Sequence, residues 1–196
     1  MQNPAGPAIV LASSSRHRRA LLGRLLDDFV SLAPDVDETR QPRETPEALA
    51  PRLARAKAEA VARAHTDAVV IGADQVAVLD GCVVGKAGSA EAAVEQLMAA
   101  AGREMRFLTA VCVLAPGHPA AEHTDVTRVH FRRFGRRLAE SYVAHDRPWD
   151  CAGSFRVEGA GVVLFESVRT EDPTALVGLP MIWLAGRLAA LGCLQS

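Results

Sequence analysis

The chain has 196 residues, 49% hydrophobic and 23% charged, with 22 Lys plus Arg against 23 Asp plus Glu and a formal net charge of −1. This is the composition of an ordinary globular protein, and the balanced charge excludes a global field that would draw the chain onto nucleic acid or anionic lipid, so any polyanion site must be local. A chain this long can bury roughly 70% of its unfolded surface without disulfides or structural metal, and with only 5% aromatics aliphatic side chains must fill the core.

The apolar run at 8–12 reads as a strand buried on both faces, stopped by serines able to cap a helix over 16–26 with Ala20, Leu21, Leu22, Leu25 and Leu26 inward. A second strand is expected at 29–33, then an acidic, proline-containing loop at 35–44. Thr45-Pro46-Glu47 looks like a helix start, but Pro51 would then lie inside the helix at a cost of ~3 kcal/mol, so the pattern predicts a broken start and a continuous helix over 51–64. A short apolar strand at 68–71 runs into Gly72-Ala73-Asp74-Gln75, and 76–79 pairs with 82–84 through the turn Asp80-Gly81. A helix over 89–101, capped by Ser89 and closed by Gly102, precedes long strands at 106–114 and 124–132 that suit an antiparallel pair. A helix at 138–144, a strand at 162–168 and a closing helix at 180–191 complete the order. Strands alternating with helices, with antiparallel pairs mixed in, argue for one α/β domain built on a mixed sheet flanked by helices. Residues 1–7 are expected to be a flexible lead and 8–196 the single domain.

Cys82, Cys112, Cys151 and Cys193 lie far apart, with no paired spacing for zinc, which suits thiols in a reducing cytoplasm; a Cys nucleophile or a zinc site is the alternative. No basic segment precedes the first apolar run, and the longest uncharged apolar stretch falls short of the ~18 residues a membrane span needs. A soluble, cytoplasmic protein with no membrane partner is the expectation.

Ser13-Ser14-Ser15-Arg16-His17-Arg18-Arg19 sits at a strand-to-helix junction, where backbone N–H groups, hydroxyls and guanidinium forks can hold phosphate; a capping serine followed by solvated arginines is the plainer alternative. Arginines at a helix start oppose the macrodipole and so favour a bound anion. Asp35, Asp37 and Glu38 share one loop, and Asp74 stands at the carboxyl end of an apparently central strand. Two carboxylates from separate elements suit a hard divalent cation that also grips substrate phosphates, although loop acids are often only solvated turn residues. Lys57 and Lys86 are the only lysines in the chain, and each lies beside one of these elements; a site role and simple surface placement both remain open. The segment 153–161 carries glycines that permit tight turns, without the strand–Gly-x-Gly-x-x-Gly–helix context of a dinucleotide loop. Arg132-Arg133-Phe134-Gly135-Arg136-Arg137 suits a solvated helix entry better than a nucleic-acid surface.

In order, Leu11-Ala12-Ser13-Ser14-Ser15 with Arg18-Arg19, Val36-Asp37-Glu38-Thr39, Arg55-Ala56-Lys57-Ala58, Ile71-Gly72-Ala73-Asp74-Gln75-Val76, Gly85-Lys86, Thr109, and Gly153-Ser154-Phe155 with Glu158-Gly159 resemble the Maf family of nucleoside triphosphate pyrophosphatases. The likeness covers nearly the whole chain, and Asp74-Gln75-Val76-Ala77-Val78-Leu79-Asp80-Gly81, Cys151-Ala152-Gly153-Ser154-Phe155 and Leu176-Val177-Gly178-Leu179-Pro180 look like the bacterial branch acting on 7-methyl-GTP. The resemblance implies an elongated, inosine-triphosphatase-like mixed sheet. It also implies hydrolysis of a nucleoside triphosphate to monophosphate and pyrophosphate with Mg²⁺ or Mn²⁺, which keeps modified nucleotides out of nucleic acids. By position it implies that Asp74 is the proton acceptor, that Glu38 and Asp74 hold the metal, and that Ser13, Arg18, Arg19, Lys57 and Lys86 neutralise phosphate. Base choice falls to His17, Gln75 and Glu158: one carboxylate can accept both N1–H and N2–H of guanine, and an N7-methylated base is cationic.

Three positions depart from the family pattern. Arg16 and Ala87 stand where proline is usual, and His17 stands where this branch carries Trp, a better platform for a cationic base. The alternatives are a pyrophosphatase for dTTP, UTP or another noncanonical nucleotide, and a nucleotide-binding regulator of cell division that needs no turnover. The resemblance leaves a homodimer open, and the balanced charge weighs against nucleic acid as a partner.

Overall fold

The computed structural model describes residues 6–194; the first five residues of the expected lead fall outside that range. A seven-stranded sheet runs β2-β1-β3-β5-β6-β7, with β4 also paired to β3. Its strands are β1 (Ile9–Ala12), β2 (Val30–Leu32), β3 (Val69–Leu79), β4 (Cys82–Val84), β5 (Glu104–Leu114), β6 (Ala121–Phe131) and β7 (Phe165–Arg169). The helices are α1 (Arg16–Leu22), α2 (Pro46–Ala62), α3 (Ala90–Ala100), α4 (Arg136–Asp146) and α5 (Met181–Ala190), with 3-10 turns at Ala160–Leu164 and Ala175–Val177. β1 pairs in parallel with β2 and β3, whereas β3, β5, β6 and β7 pair antiparallel, so the sheet is mixed as expected.

Strand alternation on β3 distributes the core. Val69, Ile71 and Ala73 face a cluster with Leu21 and Leu22 of α1 and Leu184 and Leu188 of α5. Val70, Val76 and Val78 face the opposite side, where Leu49, Ala50, Leu53, Ala54, Ala58 and Val61 of α2 pack. Farther along, Ala77, Met105, Phe107, Val129 and Phe131 pack against α3, α4 and the rings of Phe155 and Phe165. Phe155 meets Phe107, Phe131 and Phe165 edge-on at centroid distances of 5.2, 5.8 and 4.7 Å.

Several elements differ from their sequence reading. Residues 69–79 form one strand, because ten consecutive cross-strand pairs with β5, Val70↔Leu114 to Leu79↔Met105, override the local break suggested by Gly72 and Asp74. Asp74 therefore lies in mid-strand, two residues beyond the last parallel pair, Ala12↔Gly72. α2 runs unbroken from Pro46 through Pro51: the Thr45 hydroxyl caps Ala48 N–H at 3.3 Å, and burial of Leu49, Ala50, Leu53 and Ala54 offsets the one hydrogen bond proline removes. α1 stops at Leu22, and a turn after Gly23 still delivers Leu26 to the core, while Ala20 is exposed. In the 162–168 stretch, Val162 and Val163 belong to a 3-10 turn and are exposed, since no neighbouring strand reaches them; β7 begins only at Phe165. The Asp80-Gly81 hairpin forms as read, with φ of 49° and 80° and Leu79 opposite Cys82.

The four cysteines are free thiols. Among the described residues no helix is long and apolar enough to cross a membrane.

Candidate active site

The site begins at a gap in the sheet. β5 covers one edge of β3 along its length, but the other edge is covered by β1 only as far as Gly72 and by β4 only from Ala77. Between them residues 73–76 have no strand beside them on that edge. Asp74 and Gln75 point to opposite faces of the strand, yet both reach the cavity of about 750 Å³ that opens there. Its volume is in the range of small-molecule clefts. One wall is the β1–α1 junction, the other is the end of β4 with 150–158, and 176–178 closes a third side.

Asp74 is 7% exposed and Lys57 6%. Lys57 Nζ lies 2.6 Å from Asp74 Oδ1 and 2.7 Å from Glu38 Oε1, so one ammonium joins two carboxylates that are remote in sequence. Burial pushes the Asp74 carboxyl above the usual aspartate range, against the opposing pull of Lys57 and Arg18. Glu38, whose side chain is 61% exposed, shifts the other way, chiefly through its hydrogen bond from Lys57. The second oxygen of each carboxylate makes no hydrogen bond among the described residues. These residues contain no group of three or more His, Cys, Asp or Glu placed to hold a metal, so a cation here would have two protein carboxylates at most.

α1 starts where the Ser15 hydroxyl accepts Arg18 N–H at 3.4 Å. Ser13, buried, accepts Ser15 N–H at 3.2 Å and Arg18 Nη1 at 3.5 Å, and Arg18 Nε donates to the Gly178 carbonyl at 3.0 Å. Arg18 is thereby fixed against the cleft; burial lowers its pKa while Asp74 and Glu38 favour its charge. Arg19, grouped with Arg18 in the sequence, is exposed and does not line the cavity. Arg16, His17 and Arg18 line the cavity from this first turn, and Arg19 follows them on the side of α1 turned to solvent. His17 lines the cavity and accepts from Arg16 Nε at 3.3 Å.

Gln75 Nε2 donates to Thr109 Oγ1 and to the carbonyls of Ala175 and Leu176 at 3.0 to 3.2 Å. Its amide nitrogen is thus committed to the scaffold, and its oxygen is the group left for a ligand. Lys86 and Glu158 are exposed and line the far wall. Lys86 is bridged to Ala152. Gln96 of α3 ties the same two segments, accepting from Ser154 Oγ at 2.6 Å and donating to Gly85 O at 3.1 Å. Asp35 and Asp37 do not line the cavity; Asp37 Oδ1 accepts Thr39 N–H at 2.8 Å in a local turn.

Sequence reasoning passed over Arg156 and Asp150, which also line the cavity and are paired at 2.8 Å. Arg156 lies inside the glycine-containing segment read as a loop, and no spacing rule would have singled it out. The cleft therefore joins a fixed guanidinium and two ammonium groups to two carboxylates, one of them buried and more basic than usual. Beside them is a wall carrying Glu158, which has no partner among the described residues. That arrangement can neutralise a polyphosphate, accept a proton and hydrogen-bond a base.

Residues 8–191 match the family model described as Maf-like protein. The chain is 50% identical to a 7-methyl-GTP pyrophosphatase of Xanthomonas campestris pv. campestris over 186 residues, covering 95% of this chain and 97% of that one. It is 46% identical to one from Alcanivorax borkumensis over 187 residues, covering 95% of each. Among solved structures it is similar to the Staphylococcus aureus Ham1 protein, with 22% identity, a TM-score of 0.47, and 63% of this chain and 71% of that one covered. With a family match from β1 to the end of the closing helix, the chain belongs to the Maf family.

Proposed function

We propose that this chain hydrolyses 7-methyl-GTP to 7-methyl-GMP and pyrophosphate, as a cytoplasmic enzyme. The observation that carries the reading is the Lys57–Asp74 ion pair, buried at the gap in β3 and extended to Glu38. In this mechanism Asp74 accepts a proton from a water molecule as its oxygen forms a bond to the α-phosphorus. The bond from that phosphorus to the bridging oxygen breaks, and pyrophosphate leaves with the electron pair. A carboxylate raised above its usual pKa is a better acceptor, and the neighbouring Lys57 and Arg18 favour its ionised form.

In this reading Arg18 on one wall and Lys86 on the other neutralise the triphosphate and the charge on the departing pyrophosphate, the Ser13 hydroxyl hydrogen-bonds phosphate, and Lys57 fixes Asp74. Glu38 and Asp74 would hold a divalent cation. Two carboxylates, each with a free oxygen, suit Mg²⁺ or Mn²⁺ completed by water and phosphate oxygens. Such an ion, when bound, supplies further neutralisation of phosphate charge.

The base assignment rests on the names of the relatives and on Glu158, which has no partner among the described residues and can accept both Watson–Crick donors of guanine. In this reading His17 and the Gln75 oxygen complete the base pocket. Pyrophosphate release measured across 7-methyl-GTP, GTP, UTP, dTTP and CTP with Mg²⁺ or Mn²⁺ tests the reading; equal, background-level release from all of them would refute it.

A further inference from the structure

The segment between β2 and α2 carries Glu38, yet it forms neither helix nor strand and most of its side chains are exposed. Its backbone around Glu38 is nonetheless held at successive atoms. Thr39 N–H donates to Asp37 Oδ1 at 2.8 Å, and the Thr39 carbonyl accepts from Arg52 Nη2 at 3.1 Å. Arg52 belongs to α2, the helix that also supplies Lys57. It is itself locked: Nε and Nη2 donate to the two oxygens of Glu44 at 2.5 and 3.0 Å. Glu44, with its side chain only 6% exposed, also accepts Gln41 N–H at 3.0 Å, and its carbonyl accepts from Arg40 Nε at 2.7 Å.

One helix therefore grips the Glu38 side chain through Lys57 and the adjoining backbone through Arg52. The two grips differ in kind. An ammonium on a flexible stem attracts a carboxylate without fixing its direction, whereas the Arg52 guanidinium, itself fixed by its bidentate pair with Glu44, donates from Nη2 alone to the Thr39 carbonyl. Neither Arg52 nor Glu44 lines the cavity, so neither is placed to touch a ligand there.

We propose that Arg52, held by Glu44, is a positioning residue that preorganises Glu38 at the mouth of the cleft. The inference rests on the metal-holding role given to Glu38 above. It explains why a segment without regular structure can deliver a carboxylate to a defined place, and it gives Asp37 a structural task in place of the ligand role its sequence neighbourhood suggested.

Hydrogen exchange followed by mass spectrometry on the intact protein tests the positioning directly. Arg52→Ala should raise exchange in the 34–44 segment about tenfold while β3 peptides exchange as in the wild type, with Arg52→Lys in between. In turnover assays Arg52→Ala should raise the Mg²⁺ concentration for half-maximal rate about tenfold, and in a Glu38→Ala background it should add nothing further, because both changes remove the same interaction. Glu44→Gln, which keeps the side-chain shape, should reproduce the Arg52→Ala pattern in weaker form. Unchanged exchange in 34–44, or a full Arg52→Ala penalty in the Glu38→Ala background, overturns the proposal. If the wild type releases no pyrophosphate from any nucleoside triphosphate but Arg52→Ala still frees the segment, the positioning stands and the proposed activity falls.

Discussion

Gly72 of β3 lies so close to Ala58 of α2 that a Cβ on it would come within 2.8 Å of the Ala58 methyl, 2.6 Å of its backbone nitrogen and 2.2 Å of the Ala54 carbonyl. Lys57 is the helical neighbour of Ala58, and Asp74 shares a strand face with Gly72. The missing side chain is what lets α2 settle onto the sheet closely enough for the two charges to meet. Gly72→Ala should therefore push α2 away, destabilise the fold by about 1–3 kcal/mol as overpacking does, and lower turnover further than the loss of folded protein explains. Thermal unfolding together with turnover per folded molecule checks this; an unchanged Tm would mean that the helix has room to spare.

Arg18 and Arg19 should separate cleanly. Arg18 is anchored to Gly178 and Ser13 at the cleft, and Arg19 points to solvent. Arg18→Ala is expected to cut kcat/KM by about 10²-fold or more, the scale of losing one preorganised donor to a developing anion. Arg19→Ala should stay close to the wild type. Steady-state kinetics on the two variants, side by side, decides the matter, and similar losses in both would contradict the placement.

The raised pKa of Asp74 has two consequences of opposite sign. Activity needs the ionised form, so the acid limb of kcat/KM should lie above the ~3.9 of an ordinary aspartate. Stability runs the other way. A carboxyl whose folded pKa exceeds its unfolded one contributes stability below the unfolded value and loses it as pH rises through the folded value. The stability of the wild type relative to Asp74→Asn should thus fall as pH rises through the folded pKa of Asp74. Glu38 shifts downward and stays ionised farther into acid, so it does not set the limb. A pH–rate profile and melting curves of the two proteins report both effects.

Glu158 and Asp150 line the same wall, but Asp150 is engaged by Arg156 at 2.8 Å. Of these two, Glu158 is the one with neither oxygen engaged among the described residues. Glu158→Gln should lower 7-methyl-GTP turnover relative to UTP by about tenfold, the value of one charge-assisted hydrogen bond. An unchanged ratio of the two rates would remove Glu158 from base recognition.

Much of this was legible from the chain, and what was not has physical reasons. Caps and turns are local, so Ser15, Thr45, Ser89 and the Asp80-Gly81 hairpin could be read from a few residues. Ser13, Arg18, Glu38, Lys57, Asp74 and Lys86 were each marked by local chemistry or by resemblance, and the fold brings them to one cavity. The continuity of β3 was hidden because its register is dictated by β5, whose paired residues lie far along the chain, from Met105 opposite Leu79 to Leu114 opposite Val70. The unbroken α2 was hidden because burial against the sheet outweighs one proline. The Arg52–Glu44 fork was hidden because both residues read as ordinary surface charges until the loop that joins them is folded.

In the proposed reaction Asp74 activates water for attack on the α-phosphorus of 7-methyl-GTP. Pyrophosphate release from 7-methyl-GTP with Mg²⁺, compared between the wild type and Asp74→Asn at pH 7, tests it most directly. The wild type should release pyrophosphate readily, and the variant, with its fold intact, should be slower by about 10²–10⁴-fold. Release by Asp74→Asn at the wild-type rate would contradict it.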